Sequence, residues 1–237
     1  MIVARSEAAS GVADASGKIG FHLHPIGSLP EVEKVWRGLE RCGSGSFFTS
    51  WLWIGAWLVS LPERIRPLLL SVRSDNGPIG AAILVPKNRR RLTGTVHELY
   101  FNSTGESELD GITIEHNGFA GAPETGEILW PAFLRWFAQQ ERFGRLLVPG
   151  VRHGVIETKR RGTNLLARET VSPAYACALP RNGDRGAILN SLSGNSRQQL
   201  RRNLRAWEQA GPLRCERADT AETALLWFEA LKQLLRK

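Results

Sequence analysis

Apolar residues recur at helical spacing in "SLPEVEKVWRGLER", where Ser28 and Glu31 stand in capping-box spacing and Pro30 sits in the first turn, so the chain enters a helix here. The next window, "SFFTSWLWIGAWLVSL" (46–61), is apolar almost throughout. At about 16 residues it falls short of the ~20 that a membrane span needs, and it predicts a buried helix. The period then becomes that of strands. "RPLLLSVRSDNGPIGAAILVP" (66–86) sets two apolar runs about Asn76-Gly77 and predicts a hairpin. "TVHELYF" (95–101) and "GITIEHN" (111–117) read as strands joined by the polar loop "NSTGESELD". "ETGEILWPAFLRWFAQQER" (124–142) is helical, with Pro131 implying a kink, or a break near Trp130. "RLLVPGV" and "AYACAL" add short strands around the basic turn "HGVIETKRRGTN". The pattern begins again near residue 186 with a short helix, "SRQQLRRNLRAWEQAGPL" (196–213), a strand "LRCER" and a helix "ADTAETALLWFEALKQLLRK".

Within 196–213, Ser196 and Gln199 have capping-box spacing, Leu200, Leu204 and Trp207 form one stripe, and Gly211-Pro212 ends the helix, which therefore spans 197–210. Arg197, Arg201 and Arg205 line up beside that stripe, as a phosphate-binding ridge or a solvated face. Helices followed by a strand hairpin, with a later helix crossing back, indicate a mixed α/β fold around one sheet. The Ala/Ser/Gly-rich opening predicts a loose tail over 1–24.

Charge sharpens this division. The net charge of +8 lies entirely in residues 121–237, because residues 1–120 carry 12 basic and 12 acidic side chains. A basic half attracts polyanions of many kinds, and the sign does not choose among nucleic acid, anionic lipid and phosphorylated cofactors. The arginines come without a helix-turn-helix, an aromatic RNA platform or a zinc finger, so specific nucleic-acid binding is the weaker reading. Cys42, Cys177 and Cys215 are scattered and odd in number, against a disulfide framework or zinc site and in favour of a reducing cytoplasm.

"FFTSWLWIGAWL", "STGESELDGITIEHNGF" and "SLSGNSRQQLRRNLRAWEQAGPLRCERADT", in that order, resemble the CelD-like acyltransferases of the GNAT superfamily. That bacterial family is associated with polysaccharide or cell-envelope synthesis and is similar to the FemAB peptidoglycan aminoacyltransferases. The resemblance implies a first GNAT-like domain over 25–185, a mixed sheet flanked by helices, and the opening helices and one strand of a second over 186–237. Relatives run on past the position of Lys237, so the second half is expected to be incomplete. The implied activity is acyl transfer from acyl-CoA, acetyl-CoA being the simplest donor, to an amino group of a sugar or envelope precursor, without a metal. A catalytically silent module that only binds is the alternative. The phosphate loop of a typical GNAT is not intact; "RLTGTV" (91–96) has Val96 where a small residue belongs.

Such chemistry needs a base, oxyanion donors and a site for phosphates. Asp110 and Glu115 in "ELDGITIEHNG" are the carboxylate candidates, Glu115 on the expected strand and Asp110 at its entrance, against a turn cap and an exposed strand residue as the plain alternatives. Asn117 could set an amide against substrate, or only make a turn with Gly118. His97 and His116 are candidate bases; the alternate His22 and His24 lack a further metal ligand beside them. The clusters 87–91 ("KNRRR") and 159–161 ("KRR") flank turns. By resemblance, Arg197, Arg201 and Arg202 contact an anionic sugar or phosphate acceptor. No transmembrane segment is expected; peripheral membrane association and homodimerisation through exposed edges stay open.

Overall fold

The computed structural model describes residues 2–6, 19–43, 45–92, 94–111, 114–121, 125–156, 165–173, 185–212, 214 and 216–235. The fold is mixed α/β, and the chain divides into two compact units, Met1–Pro173 and Ala174–Lys237, parting ahead of the boundary expected after Arg185.

Among the described residues the first unit is a seven-stranded sheet with helices on both faces. Its elements are β1 (Ile2–Ser6), β2 (Gly20–Pro25), α1 (Leu29–Glu40), a 3-10 turn at Phe47–Thr49, α2 (Trp51–Ser60), β3 (Leu68–Ser74), β4 (Gly77–Arg91), β5 (Gly94–Phe101), α3 (Thr125–Ala138), β6 (Arg145–Val148) and β7 (Leu165–Glu169). The strand order is β2-β3-β4-β5-β6-β1-β7. Every neighbouring pair is antiparallel except β5 and β6.

The expected hairpin forms, with Ser74 opposite Gly77 and Gly77 at φ +119°, a conformation open to glycine. Alternation then sorts side chains to the two faces. Leu70, Val72, Ala82, Leu84, Leu99, Phe101, Leu146 and Val148 meet Leu129, Trp130, Phe133 and Phe137 of α3. Leu69, Ala81 and Ile83 meet Val32, Trp36 and Leu39 of α1 and Ile54 and Leu58 of α2. Trp36 is fully buried, yet its indole N–H is satisfied by Thr49 O at 2.8 Å, which fixes α1 to the 3-10 turn. Glu40 accepts from the backbone N–H of Trp51 at 2.6 Å, placing a carboxylate at the N-terminus of α2.

Several expectations are corrected. The stretch 1–24 contains two strands. Ile2–Ser6 lies between β6 and β7, and in Gly20–Pro25 the part-buried Phe21 and Leu23 alternate with the exposed His22 and His24. Residues 111–117 form no strand where described, because the chain takes a positive φ of +49° at His116 and the N–H of Asn117 turns to Gly150 O. Pro131 neither breaks nor ends α3: the hydrogen bond it forfeits would have gone to the carbonyl of Glu127, on the exposed first turn. Ser28 takes the N-cap position of α1 without a side-chain hydrogen bond, so the expected capping box is not made. The window 46–61 is a turn and a helix of which only one side is buried, leaving Leu52 71% and Val59 70% exposed. "AYACAL" and "KRR" (159–161) lie outside the described residues.

The second unit contains α4 (Arg185–Ser191), α5 (Gly194–Ala210) and α6 (Ala221–Leu235). The helix α5 starts three residues earlier than expected, because its cap is Ser193, whose hydroxyl accepts from the N–H of Ser196 at 3.2 Å. Gly211 ends it at φ +147°. In "LRCER", Arg214, Glu216 and Arg217 belong to no strand; Leu213 and Cys215 lie outside the described residues. No described residue of α5 or α6 is buried, and Leu225, Leu226, Leu231, Leu234 and Leu235 of α6 are all exposed. Among the described residues no helix is long and apolar enough to cross a membrane.

Candidate functional site

The parallel pair β5 and β6 positions the site. In open α/β sheets, ligands gather outside the carboxyl ends of strands where the connectivity changes direction. Here β5 and β6 keep parallel register only from Glu98↔Arg145 to Tyr100↔Leu147. Beyond Leu147 the two strands part, and a cleft of about 270 Å³ opens on the α2 side. Its walls are Trp53, Trp57 and Ser60 of α2, Asn102 and Ser103 after β5, Asp110 and Ile114 of the following loop, and Pro149 after β6.

Trp53 and Trp57 are four residues apart and share one helix face. Trp53 is braced edge-on by Phe48, with ring centroids 4.8 Å apart, and by Phe47 at 5.5 Å. The opposite wall is polar and closely bonded. Asn102 adopts φ +48°, a conformation asparagine tolerates, and exchanges bonds with Ile83: its N–H donates to Ile83 O at 2.7 Å and its Oδ1 accepts from Ile83 N at 2.8 Å. Its Nδ2 donates to Asn117 Oδ1 and Gly118 O, both at 2.9 Å. Asn117 Nδ2 donates in turn to Phe101 O at 3.1 Å and Pro149 O at 2.9 Å. The carboxamide of Asn117 thus fills the gap where the strands part and ties their carbonyls together. Gly150, at φ +64°, lies so close beneath this loop that a Cβ there would stand 1.7 Å from Ile114 O.

The loop between Ser103 and Asp110 is pinned twice. Inside, the Asp110 carboxylate accepts from Thr104 N–H at 2.9 and 3.1 Å, Thr104 Oγ1 at 2.8 Å and Gly105 N–H at 2.7 Å. Outside, Glu106 pairs with Arg64 at 2.6 Å and Lys87 at 3.4 Å. The hydrogen bond from Arg64 holds the Glu106 carboxyl below its ordinary range, outweighing desolvation.

Asp110 lines the cleft and is the only titratable group to do so among the described residues, with its oxygens engaged in closing the loop. Glu115 and His116 are exposed on an irregular segment and do not line the cleft. Asn117 is 4% exposed, and its whole amide is spent on the seam between the strands. His97 is on exposed β5 surface, bonded to Asn88 Oδ1 at 2.7 Å. On α5, Arg197 closes the corner with α4 by donating to Leu192 O at 3.1 Å, whereas Arg201 and Arg202 are exposed. Trp53, Trp57, Asn102 and Ser103 were not singled out from the sequence; the i, i+4 tryptophans and an Asn-Ser pair ending a strand were the available signals. Among the described residues no group of three His, Cys, Asp or Glu could hold a metal ion.

Away from the cleft lining, Glu98 of β5 is fully buried. Its Oε1 accepts from Arg145 Nη1 at 2.9 Å and its Oε2 from Tyr100 Oη at 2.8 Å, while Arg91 and Arg89 stand at 3.7 and 4.0 Å. Burial, then the bond to Glu98, pushes the Tyr100 phenol up to about 12 from 10.0. Because the folded value is the higher one, the phenol's contribution to stability is complete below about pH 10 and is lost as the pH rises through about 12. The chain has two tyrosines. Alkaline titration followed by phenolate absorbance is expected to show a late step that disappears in Tyr100→Phe; its persistence in the variant would contradict the assignment.

The carbonyls of Phe101 and Pro149, which flank the opening, both accept from Asn117 Nδ2. The cleft is a compact receptacle with an aromatic wall facing a wall of hydroxyl, amide and carboxylate groups. Comparison with known proteins gives no match to this chain, whether from a family model, a curated protein or a solved structure.

Proposed function

We propose that the chain is a cytoplasmic GNAT-type N-acyltransferase, with acyl-CoA as donor, and that its first unit receives the acceptor, an amino sugar or similar envelope precursor. The observation that carries this reading is the cleft at the carboxyl ends of β5 and β6, with tryptophans on one side and polar groups on the other. A sugar ring has apolar C–H faces and a polar rim, and suits that pairing of walls. The order of elements, helices and then a hairpin leading into a sheet whose parallel pair brackets a helix, also supports a mixed α/β transferase fold.

A second reading is a module that binds without turnover. It is favoured by the saturated hydrogen bonding of Asp110 and the position of Glu115 outside the cleft, which leave no free base there among the described residues.

Mass-spectrometric detection of acetyl transfer from acetyl-CoA to a panel of amino sugars tests the first reading, and calorimetric binding of the same sugars tests the second. Turnover that falls at least tenfold in Trp53→Ala is the result expected of a transferase. Binding abolished by that substitution without turnover would establish the module. Neither turnover nor binding would sink both.

A further inference from the structure

We infer that the face of the sheet beside Glu98 is a binding site for a phosphate group, held by Arg89 and Arg91. Both arginines lie on β4 two residues apart, so their side chains leave the same face, with Cα atoms roughly 7 Å apart. They reach toward Glu98 on the neighbouring strand, as does Arg145 from the other side. One carboxylate therefore faces three guanidinium groups. Arg145 holds Oε1 and Tyr100 holds Oε2. At 3.7 and 4.0 Å, Arg91 and Arg89 are attracted to Glu98 but not hydrogen-bonded to it. Among the described residues neither has another ion pair, so their forked donors stay open to an anion.

Three consequences point to a phosphate rather than to a solvated charge run. The local sum of three positive charges and one negative leaves two positive charges over a buried, low-dielectric floor, where attraction for an anion exceeds that in open water. Exposure is graded, from 25% at Arg145 to 46% at Arg91 and 56% at Arg89, so the two unused groups form the rim and the bonded one the base. Two guanidinium forks side by side present more donors than one carboxylate can accept, and match a tetrahedral group with three free oxygens. Arg90, between them in sequence, points to the opposite face and supplies an internal control. No residue of the cleft takes part, so the site stands or falls independently of acyl transfer.

Isothermal titration of the full chain with inorganic pyrophosphate at low salt tests the site. Saturable binding is expected, weakened at least tenfold in Arg89→Gln/Arg91→Gln and unchanged in Arg90→Gln. Both arginines are exposed and leave the Arg145–Glu98–Tyr100 bonds in place, and an unchanged urea midpoint would verify that the double variant is folded. Phosphatidylglycerol vesicles separate the two sources of the group: binding to vesicles but not to pyrophosphate, lost in the double variant, assigns a lipid headgroup, and the reverse assigns a soluble phosphate ester. Failure of the wild type to bind either probe, or an equal loss in Arg90→Gln, would overturn the site.

Discussion

Replacing Glu98 with glutamine is expected to destabilise the first unit by about 3 kcal/mol, the cost of removing one member of a buried ion pair and leaving the other without its counter-charge. Glu98 is fully buried, and among the described residues it is the one negative group paired with Arg89, Arg91 and Arg145. Glutamine keeps the shape and can still accept from Tyr100, so the loss reports charge rather than volume. Arg145 is the partner most affected, at 2.9 Å and only 25% exposed, because the more exposed Arg89 and Arg91 recover solvation as they turn outward. A buried pair contributes little beyond what a well-packed apolar pair supplies. Glu98→Met combined with Arg145→Met should therefore recover most of the loss. Urea unfolding followed by tryptophan fluorescence measures both, and a change under about 1 kcal/mol for Glu98→Gln would refute the charge argument.

Gly150→Ala is expected to cost at least as much, for a reason confined to the backbone. The residue is at φ +64°, and an added Cβ would stand 1.7 Å from Ile114 O and 2.8 Å from its carbonyl carbon. Positive φ alone costs alanine about 1 kcal/mol, and a backbone contact of this kind cannot be relieved by a rotamer change. The loop carrying Ile114 and Asn117 must move away, breaking the bond from Asn117 N–H to Gly150 O at 3.0 Å. Hydrogen exchange would show lost protection at Asn117 and at the ends of β5 and β6. Gly118→Ala is the control, since a Cβ there has nothing within 4 Å; equal destabilisation by the two substitutions would count against the contact.

The sheet was legible wherever the signal was local. The hairpin at Asp75–Gly77 and strand β5 are written as alternating runs joined by turn residues, and they fold as written. "GITIEHN" alternates equally well, but its described residues bond to Gly150 and to Asn102 instead of a neighbouring strand, and no local pattern records that destination. Strand β1 escaped detection for the same reason, since its partners near Arg145 and Leu165 are remote in sequence. The cleft was half legible. Asp110 was placed near it by its loop, whereas Asn102 and Asn117, 15 residues apart, meet only because β5 stops where it does. Glu98 gave no warning of its position, because a carboxylate in a strand reads as surface until three arginines are found around it.

Asn117 Nδ2 bridges the carbonyls where β5 and β6 part, and that gives the protein a chemical clock. Asn117 is followed by Gly118, the neighbour that least obstructs attack of the backbone nitrogen on the carboxamide. Loss of the amide as ammonia would leave a carboxylate oxygen facing the carbonyl oxygens of Phe101 and Pro149, repulsion in place of two donated bonds. What restrains that reaction is the fold, which buries Asn117 and occupies both of its amide hydrogens. Each opening of the seam removes this protection, so the molecule's chemical lifetime follows its local unfolding.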